Sequence, residues 1–185
     1  MHDRREFMGR VNPTNILGDA EALLAIADQD PAAEDGGKVD AVGFFMICGL
    51  VISLVKAMPE RVAAVASIHG AWLVKDSDDS PHKGLESVTA EVYLGWSDND
   101  ATAPPEEVPI MEAALSAAGV NYTLDFLTEA VHGYAPPYGQ NHNREARQPP
   151  HLPRALLRQS GQHRRWGTRV PDIPERADLY PFVLE

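Results

Sequence analysis

A stretch without charged residues, from 41 to 55, constrains the fold of this chain more than any other feature. It begins with small and β-branched residues and continues with apolar residues at helical spacing. This change of period predicts a buried strand over Val39 to Phe44 that turns directly into a buried helix over about 46 to 58. The 15 uncharged residues are fewer than the ~20 that a membrane-spanning helix needs, so we expect a core helix instead.

The composition indicates an acidic globular protein. The chain has 185 residues, 44% of them hydrophobic, and a length in this range favours one domain. A net charge of -11 argues against binding nucleic acid or anionic membranes, so neither is expected as a partner. Cys48 is the single cysteine and cannot form an intrachain disulfide. The first residues do not resemble a signal peptide, and we expect a cytoplasmic location.

The remaining periodic segments alternate between helices and strands. This alternation is typical of an α/β fold, with a mainly parallel sheet covered by helices on both faces. The predicted elements are a helix from about Ile16 to Ile26 capped by Asn15, strands at Val62–Ile68, Ala90–Gly95 and Asn121–Leu127, a loop from Trp96 to Pro105, and a helix from about Glu106 to Ala118.

The character of the chain changes beyond Tyr134. Residues 136 to 185 hold 8 of the 15 prolines and 8 of the 16 Lys+Arg residues. We therefore divide the chain into a domain over 1–138 and an irregular Pro/Arg-rich tail over 139–185, assigned to loop or disorder. One short helix near Leu152 to Gln159 is compatible with the tail sequence. A solvated tail is favoured over one that binds an acidic partner.

Residues that directly follow the predicted strands are the first candidates for a functional site. Ligands of parallel α/β sheets lie at the carboxyl ends of the strands. Here those positions are Phe45, His69, Trp96 to Asp100, and His132. A strand that turns sharply into a helix is also typical of the nucleophile elbow of hydrolases.

Several segments in the same order resemble the dienelactone hydrolases, a branch of the α/β-hydrolases. The resemblance covers about residues 15 to 138. It implies a partial α/β-hydrolase fold and hydrolysis of carboxylic esters or lactones through a covalent acyl-enzyme. The segments that carry it are Val42-Gly43-Phe44-Phe45-Met46, Met58 to Gly70, Ala90 to Gly95, Asp98 to Glu106, Ala117 to Val120, and His132-Gly133-Tyr134.

The resemblance implies two catalytic residues. The family's acid stands four residues before a proline, which identifies Asp100 rather than Asp98. Its histidine precedes a glycine after the last strand, which identifies His132. His132 would take the proton of the nucleophile while Asp100 orients the imidazole. From the residues alone, Asp100 as a helix-capping or turn residue and His132 as a loop residue remain alternatives.

The nucleophile position departs from the family. An ungapped comparison places Phe45 at the family's cysteine, and a phenyl ring cannot attack a carbonyl. Cys48 lies three residues further on, about 300° round a helix, so a buried apolar role is favoured over that of a substitute nucleophile. We therefore expect an impaired or inactive hydrolase, a pseudoenzyme.

The elbow strand in this family normally follows several earlier strands, and here it begins at residue 39. The chain thus resembles the carboxyl-terminal half of such an enzyme, with one exposed sheet edge. We expect a truncated form, and a change of reading frame would explain why the family's closing helix is not recognisable in the tail. The alternative function is a non-catalytic remnant or interaction module that associates through the sheet edge or the basic tail.

No cofactor or metal is expected. His69, His82 and His132 lack the short spacings of zinc ligands, and no phosphate-binding glycine loop occurs. The expected ligand of an active chain is a small ester or lactone.

Overall fold

The computed structural model describes residues 8–33, 36–136 and 139–146. Within them, four parallel strands form one sheet in the order β1-β2-β3-β4. This architecture confirms the predicted fold class. In chain order the elements are α1 (Pro13–Ala27), β1 (Val39–Phe44), α2 (Ile47–Ala57), β2 (Val62–Ile68), β3 (Glu91–Asn99), a 3-10 turn (Pro105–Glu107), α3 (Val108–Ala117) and β4 (Tyr122–Val131).

The junction of β1 with α2 is the strand-to-helix turn that the sequence predicts. Gly43 lets the helix lie directly on the strand. A Cβ atom at this position would be 2.9 Å from the Cα atom of Cys48 and 2.9 Å from a methyl group of Val51. The missing side chain therefore sets how closely the two elements pack.

Strands β3 and β4 are longer than predicted. The last four residues of β3, from Trp96, were expected in a loop, but Trp96 and Ser97 pair with Phe126 and Leu127 of β4 and are buried. The polar sequence of this segment does not show the pattern of a strand. Pairing with the neighbouring strand supplies the backbone hydrogen bonds that stabilise it. Tertiary context therefore decides the end of the strand.

Helix α1 begins earlier than predicted, and Asn12 rather than Asn15 caps it. The Asn12 Oδ1 atom accepts a hydrogen bond of 3.0 Å from the Asn15 N–H. Pro13 follows at the first helical position, where a missing N–H is tolerated. Asn15 thus supplies the capped N–H rather than the capping side chain.

The two faces of the sheet are covered differently. The larger core lies between one face and helices α2 and α3. On the other face, Ala66, Ile68 and Tyr93 pack against Ala130 and Tyr134, and no helix of the described residues joins this smaller cluster. Helices on both faces were expected, so within the described residues that prediction is met on one face only.

Strand β1 forms an edge of the sheet as described. Its Val42 and Phe44 side chains are 45% and 43% exposed. No helix in the described part of the chain is long and apolar enough to cross a membrane. The predicted short helix near Leu152 to Gln159, and the tail from residue 147 onward, lie outside the described residues.

Candidate active site

Phe45 forms the turn between β1 and α2. Its φ angle is 54°, in the left-handed region that bulky residues rarely adopt. Its carbonyl oxygen accepts hydrogen bonds from the N–H groups of Cys48 and Ala71, each 3.2 Å long. The backbone at position 45 is therefore held in a tight strand-to-helix turn, at the position that the ungapped comparison assigns to the nucleophile.

Asp100 and His132 form a close hydrogen-bonded pair. Asp100 follows β3 and is buried, whereas His132 follows β4 with its side chain 32% exposed. The His132 Nδ1 atom lies 2.6 Å from Asp100 Oδ2. An Nδ1–H that donates to the carboxylate leaves Nε2 as the basic nitrogen, which is the arrangement required of a general base in acyl transfer.

Thr102 supports this pair, although the sequence reasoning did not single it out. Its hydroxyl donates to Asp100 Oδ1 at 2.6 Å, and its N–H donates to the same oxygen at 2.8 Å. The hydroxyl oxygen also lies 3.1 Å from His132 Nδ1. The Asp-x-Thr spacing is typical of a turn in which the aspartate accepts from the residue two positions on, and this is the signal that could have identified Thr102.

The phenyl ring of Phe45 lies against the acid–histidine pair. Its centroid is 4.9 Å from that of the His132 ring. Gly133 provides room, since a Cβ atom there would come within 3.1 Å of the phenyl ring. The structure thus brings Phe45, Asp100 and His132 together, with a hydrocarbon ring beside the imidazole.

His69 lies behind Phe45 in an aromatic cage. The side chain is 1% exposed, and neither ring nitrogen has a hydrogen-bond partner among the described residues. Its ring centroid is 4.3 Å from that of Phe45 and 5.0 Å from that of Tyr134. Burial lowers the pKa of His69 to about 4, so the ring is uncharged at neutral pH.

Cys48 is not at the turn. It lies inside α2, fully buried, and its thiol donates to the Ile68 carbonyl oxygen at 3.4 Å. Burial raises the pKa of the thiol to about 11. A reactive cysteine must be accessible and must be ionised to the thiolate, and Cys48 meets neither requirement.

Among residues 8–33, 36–136 and 139–146, no three His, Cys, Asp or Glu side chains are grouped so that they could hold a metal ion. Function without a metal or cofactor stays a prediction.

Comparisons with known proteins agree with this architecture. The model of the dienelactone hydrolase family matches residues 2–155. A structure from Klebsiella pneumoniae, assigned as a dienelactone hydrolase, has a TM-score of 0.69 at 18% identity; the match covers 83% of this chain and 62% of that one. A dienelactone hydrolase-like promiscuous phosphotriesterase from metagenomic libraries has a TM-score of 0.64 at 16% identity, over 88% of this chain and 66% of that one.

A third structure, a puromycin-hydrolysing peptidase from Mycobacterium tuberculosis, matches with a TM-score of 0.52 at 16% identity, over 63% of this chain and 22% of that one. These identities support the fold alone. The chain spans less than two thirds of the length of the first two structures. A comparison with curated proteins gave no match.

Proposed function

Because the chain belongs to the dienelactone hydrolase family, we propose that it carries the acid and histidine of a carboxylic ester or lactone hydrolase but hydrolyses these substrates little or not at all. One observation carries this proposal. Phe45 occupies the left-handed turn at the end of β1, with its ring 4.9 Å from that of His132. The residue best placed to attack a substrate carbonyl is a hydrocarbon.

The proposed roles follow from the chemistry of acyl transfer. In an active site of this kind, a hydroxyl or thiol attacks the carbonyl carbon while histidine removes its proton and an acid stabilises the imidazolium. Here Asp100 would hold the His132 ring through the 2.6 Å contact at Nδ1. His132 Nε2 would then face no ionisable group at position 45, so the covalent acyl-enzyme could not form there.

Cys48 is the rival nucleophile, and removing it tests the proposal. The experiment compares hydrolysis of p-nitrophenyl acetate by the purified chain with that by a Cys48→Ala variant. We expect both proteins to stay near the uncatalysed rate, because the thiol is buried and protonated. Robust hydrolysis that disappears in the Cys48→Ala variant would make Cys48 the nucleophile and overturn the proposal.

A second candidate function is association through the edge of the sheet. It is favoured by the exposed apolar side chains of Val42 and Phe44 on edge strand β1. An edge strand presents unpaired backbone groups that can pair with a strand of another chain. A second copy of this chain is the simplest partner, and the mass in solution distinguishes this function from that of a monomeric remnant.

A further inference from the structure

A cavity of about 280 Å³ opens beside the amino-terminal half of α2, separate from the acid–histidine pair. Its walls include Met46 directly before the helix, Leu50 in the helix, and Trp72 and Pro81 of the segment that follows β2. This volume is just below the range of ~300–1,000 Å³ for small-molecule pockets, so only a small ligand would fit. The cavity therefore has room for one small ring-bearing compound.

Trp72, which lines the cavity, combines an exposed aromatic side chain with a strained backbone. Its side chain is 51% exposed, and its φ angle of 54° lies in the left-handed region. Strained backbone of this kind persists only where the surroundings hold it, and it is concentrated at functional sites. Here the Trp72 N–H donates to the Thr102 carbonyl oxygen at 2.8 Å.

The backbone around Trp72 is tied to both parts of the candidate active site. Thr102, which receives the Trp72 N–H, also bonds Asp100 through its side chain. The preceding residue, Ala71, donates its N–H to the Phe45 carbonyl oxygen. The backbone that carries the indole is thus fixed next to the turn at Phe45.

The polar groups around the cavity are largely satisfied by the protein itself. Asn12 uses its side chain to cap α1, and the Ser53 hydroxyl donates to the Gly49 carbonyl oxygen. Lys75 and Asp79 pair with each other at 3.5 Å. These two charges offset each other at the wall of the cavity, and the apolar walls and the indole favour an uncharged ring.

We propose that this cavity is a binding site for an uncharged small molecule with an aromatic or alicyclic ring, which stacks on Trp72. Stacking covers the exposed face of the indole, and Met46, Leu50 and Pro81 cover the edges of the bound ring. The inference goes beyond the proposed function, because binding here requires no hydrolysis.

The test uses dihydrocoumarin, an uncharged bicyclic lactone, and its ring-opened acid, which carries the same aromatic ring with a carboxylate. Titration of the full chain with dihydrocoumarin should give a saturable blue shift of tryptophan emission as Trp72 becomes covered. Saturation-transfer NMR should show the lactone bound and the acid bound at least severalfold more weakly. Binding of the acid as tight as that of the lactone, or no saturable binding of either, would overturn the proposal.

Variants locate the site. A Trp72→Ala variant should bind dihydrocoumarin roughly tenfold more weakly in the NMR experiment. Phe126→Ala, at another exposed aromatic residue, should bind like the parent. Ser53→Leu should fill the cavity and abolish the emission shift, while Ser53→Ala should keep it. Equal binding by the Trp72→Ala variant or by the Ser53→Leu variant would place the ligand elsewhere.

The same spectra separate this proposal from the proposed function. Conversion of the lactone into its acid by the parent chain would contradict the expected lack of hydrolysis without affecting the assignment of the cavity. Binding without conversion agrees with both proposals.

Discussion

The backbone of Phe45 has the geometry of a nucleophile elbow, whereas its side chain lacks the chemistry. A left-handed conformation costs a non-glycine residue roughly 1–2 kcal/mol. It persists here because two N–H groups bond the Phe45 carbonyl and the ring packs on His132 and Gly133. A strained turn serves to present a nucleophile, and Phe45 is not one. The retained strain is therefore consistent with a site derived from an active one.

His69 should make the stability of the chain depend on pH. Its pKa is about 4 in the folded chain because of burial, against 6.5 when exposed. As the pH falls, the imidazole is protonated in the unfolded chain before it is protonated in the folded chain. The contribution of His69 to the free energy of unfolding is therefore complete above about pH 6.5 and is lost progressively between about pH 6.5 and pH 4. We expect urea denaturation to show a loss of about 2 kcal/mol from pH 7.5 to pH 5.0.

A His69→Asn variant is the matched control for that measurement. The φ angle of His69 is 41°, and asparagine tolerates this left-handed backbone and does not titrate in this range. The difference in stability between the two pH values should shrink by most of that amount. An unchanged pH dependence in the variant would assign the effect to other groups.

At the scale of single residues, the sequence predicted which residues belong to the candidate site better than it predicted their contacts. The resemblance named Asp100 and His132, and the structure places them 2.6 Å apart; their catalytic roles remain proposals. The ring nitrogens of His69, which lack a hydrogen-bond partner among the residues that the structure describes, and the strained Trp72 could not be foreseen, because they depend on how separate loops meet above the sheet.

At the scale of single elements, the β1–α2 junction depends on the absence of a side chain at Gly43. A Gly43→Ala substitution would place a Cβ atom 2.9 Å from the Cα atom of Cys48, and backbone cannot yield as a flexible side chain can. We expect a loss of about 1–3 kcal/mol of stability, measured by urea denaturation.

Gly18, in α1, provides the control. A Cβ atom there meets no heavy atom within 4 Å. Replacing a helical glycine by alanine should raise stability by about 0.5–1 kcal/mol. Equal effects of the two substitutions would show that the close approach at Gly43 is not what limits the packing of α2.

The first and last residues of the helices and strands were predicted well where an apolar segment determines them. They were predicted poorly where pairing between strands determines them. The apolar segments β1, α2 and β2 have bounds within one residue of the prediction. Strands β3 and β4 extend into polar segments because Asp98 Oδ2 accepts the Glu129 N–H at 2.8 Å and the strands pair up to Asn99 and Val131. These contacts join segments about 30 residues apart, beyond any local pattern.

At the scale of the whole molecule, the edge of the sheet raises the question of association. If two copies pair through β1, the mass measured by sedimentation should rise towards twice that of the chain with increasing concentration. A Val42→Lys variant should reduce the rise, because lysine on an edge strand disfavours pairing. Ile110→Lys, at an exposed residue of α3, should leave it unchanged. A constant monomer mass would exclude this candidate.

The parallel sheet was predictable because an α/β fold repeats one local pattern several times along the chain. The family was predictable because several segments resemble it in the same order. The covering of the second face was not predicted, since it depends on Ala130, Tyr134, Ala135 and Ala146, which are not spaced with a regular period. The proposed lack of hydrolysis depends on the residue at position 45.

The most direct test of that claim is to restore a nucleophile. A Phe45→Cys variant should hydrolyse p-nitrophenyl acetate at least about tenfold faster than the parent chain, because His132 and Asp100 would then have a thiol to activate. The gain should disappear in a Phe45→Cys/His132→Gln double variant. Equal rates for the parent and the folded Phe45→Cys variant would contradict the account.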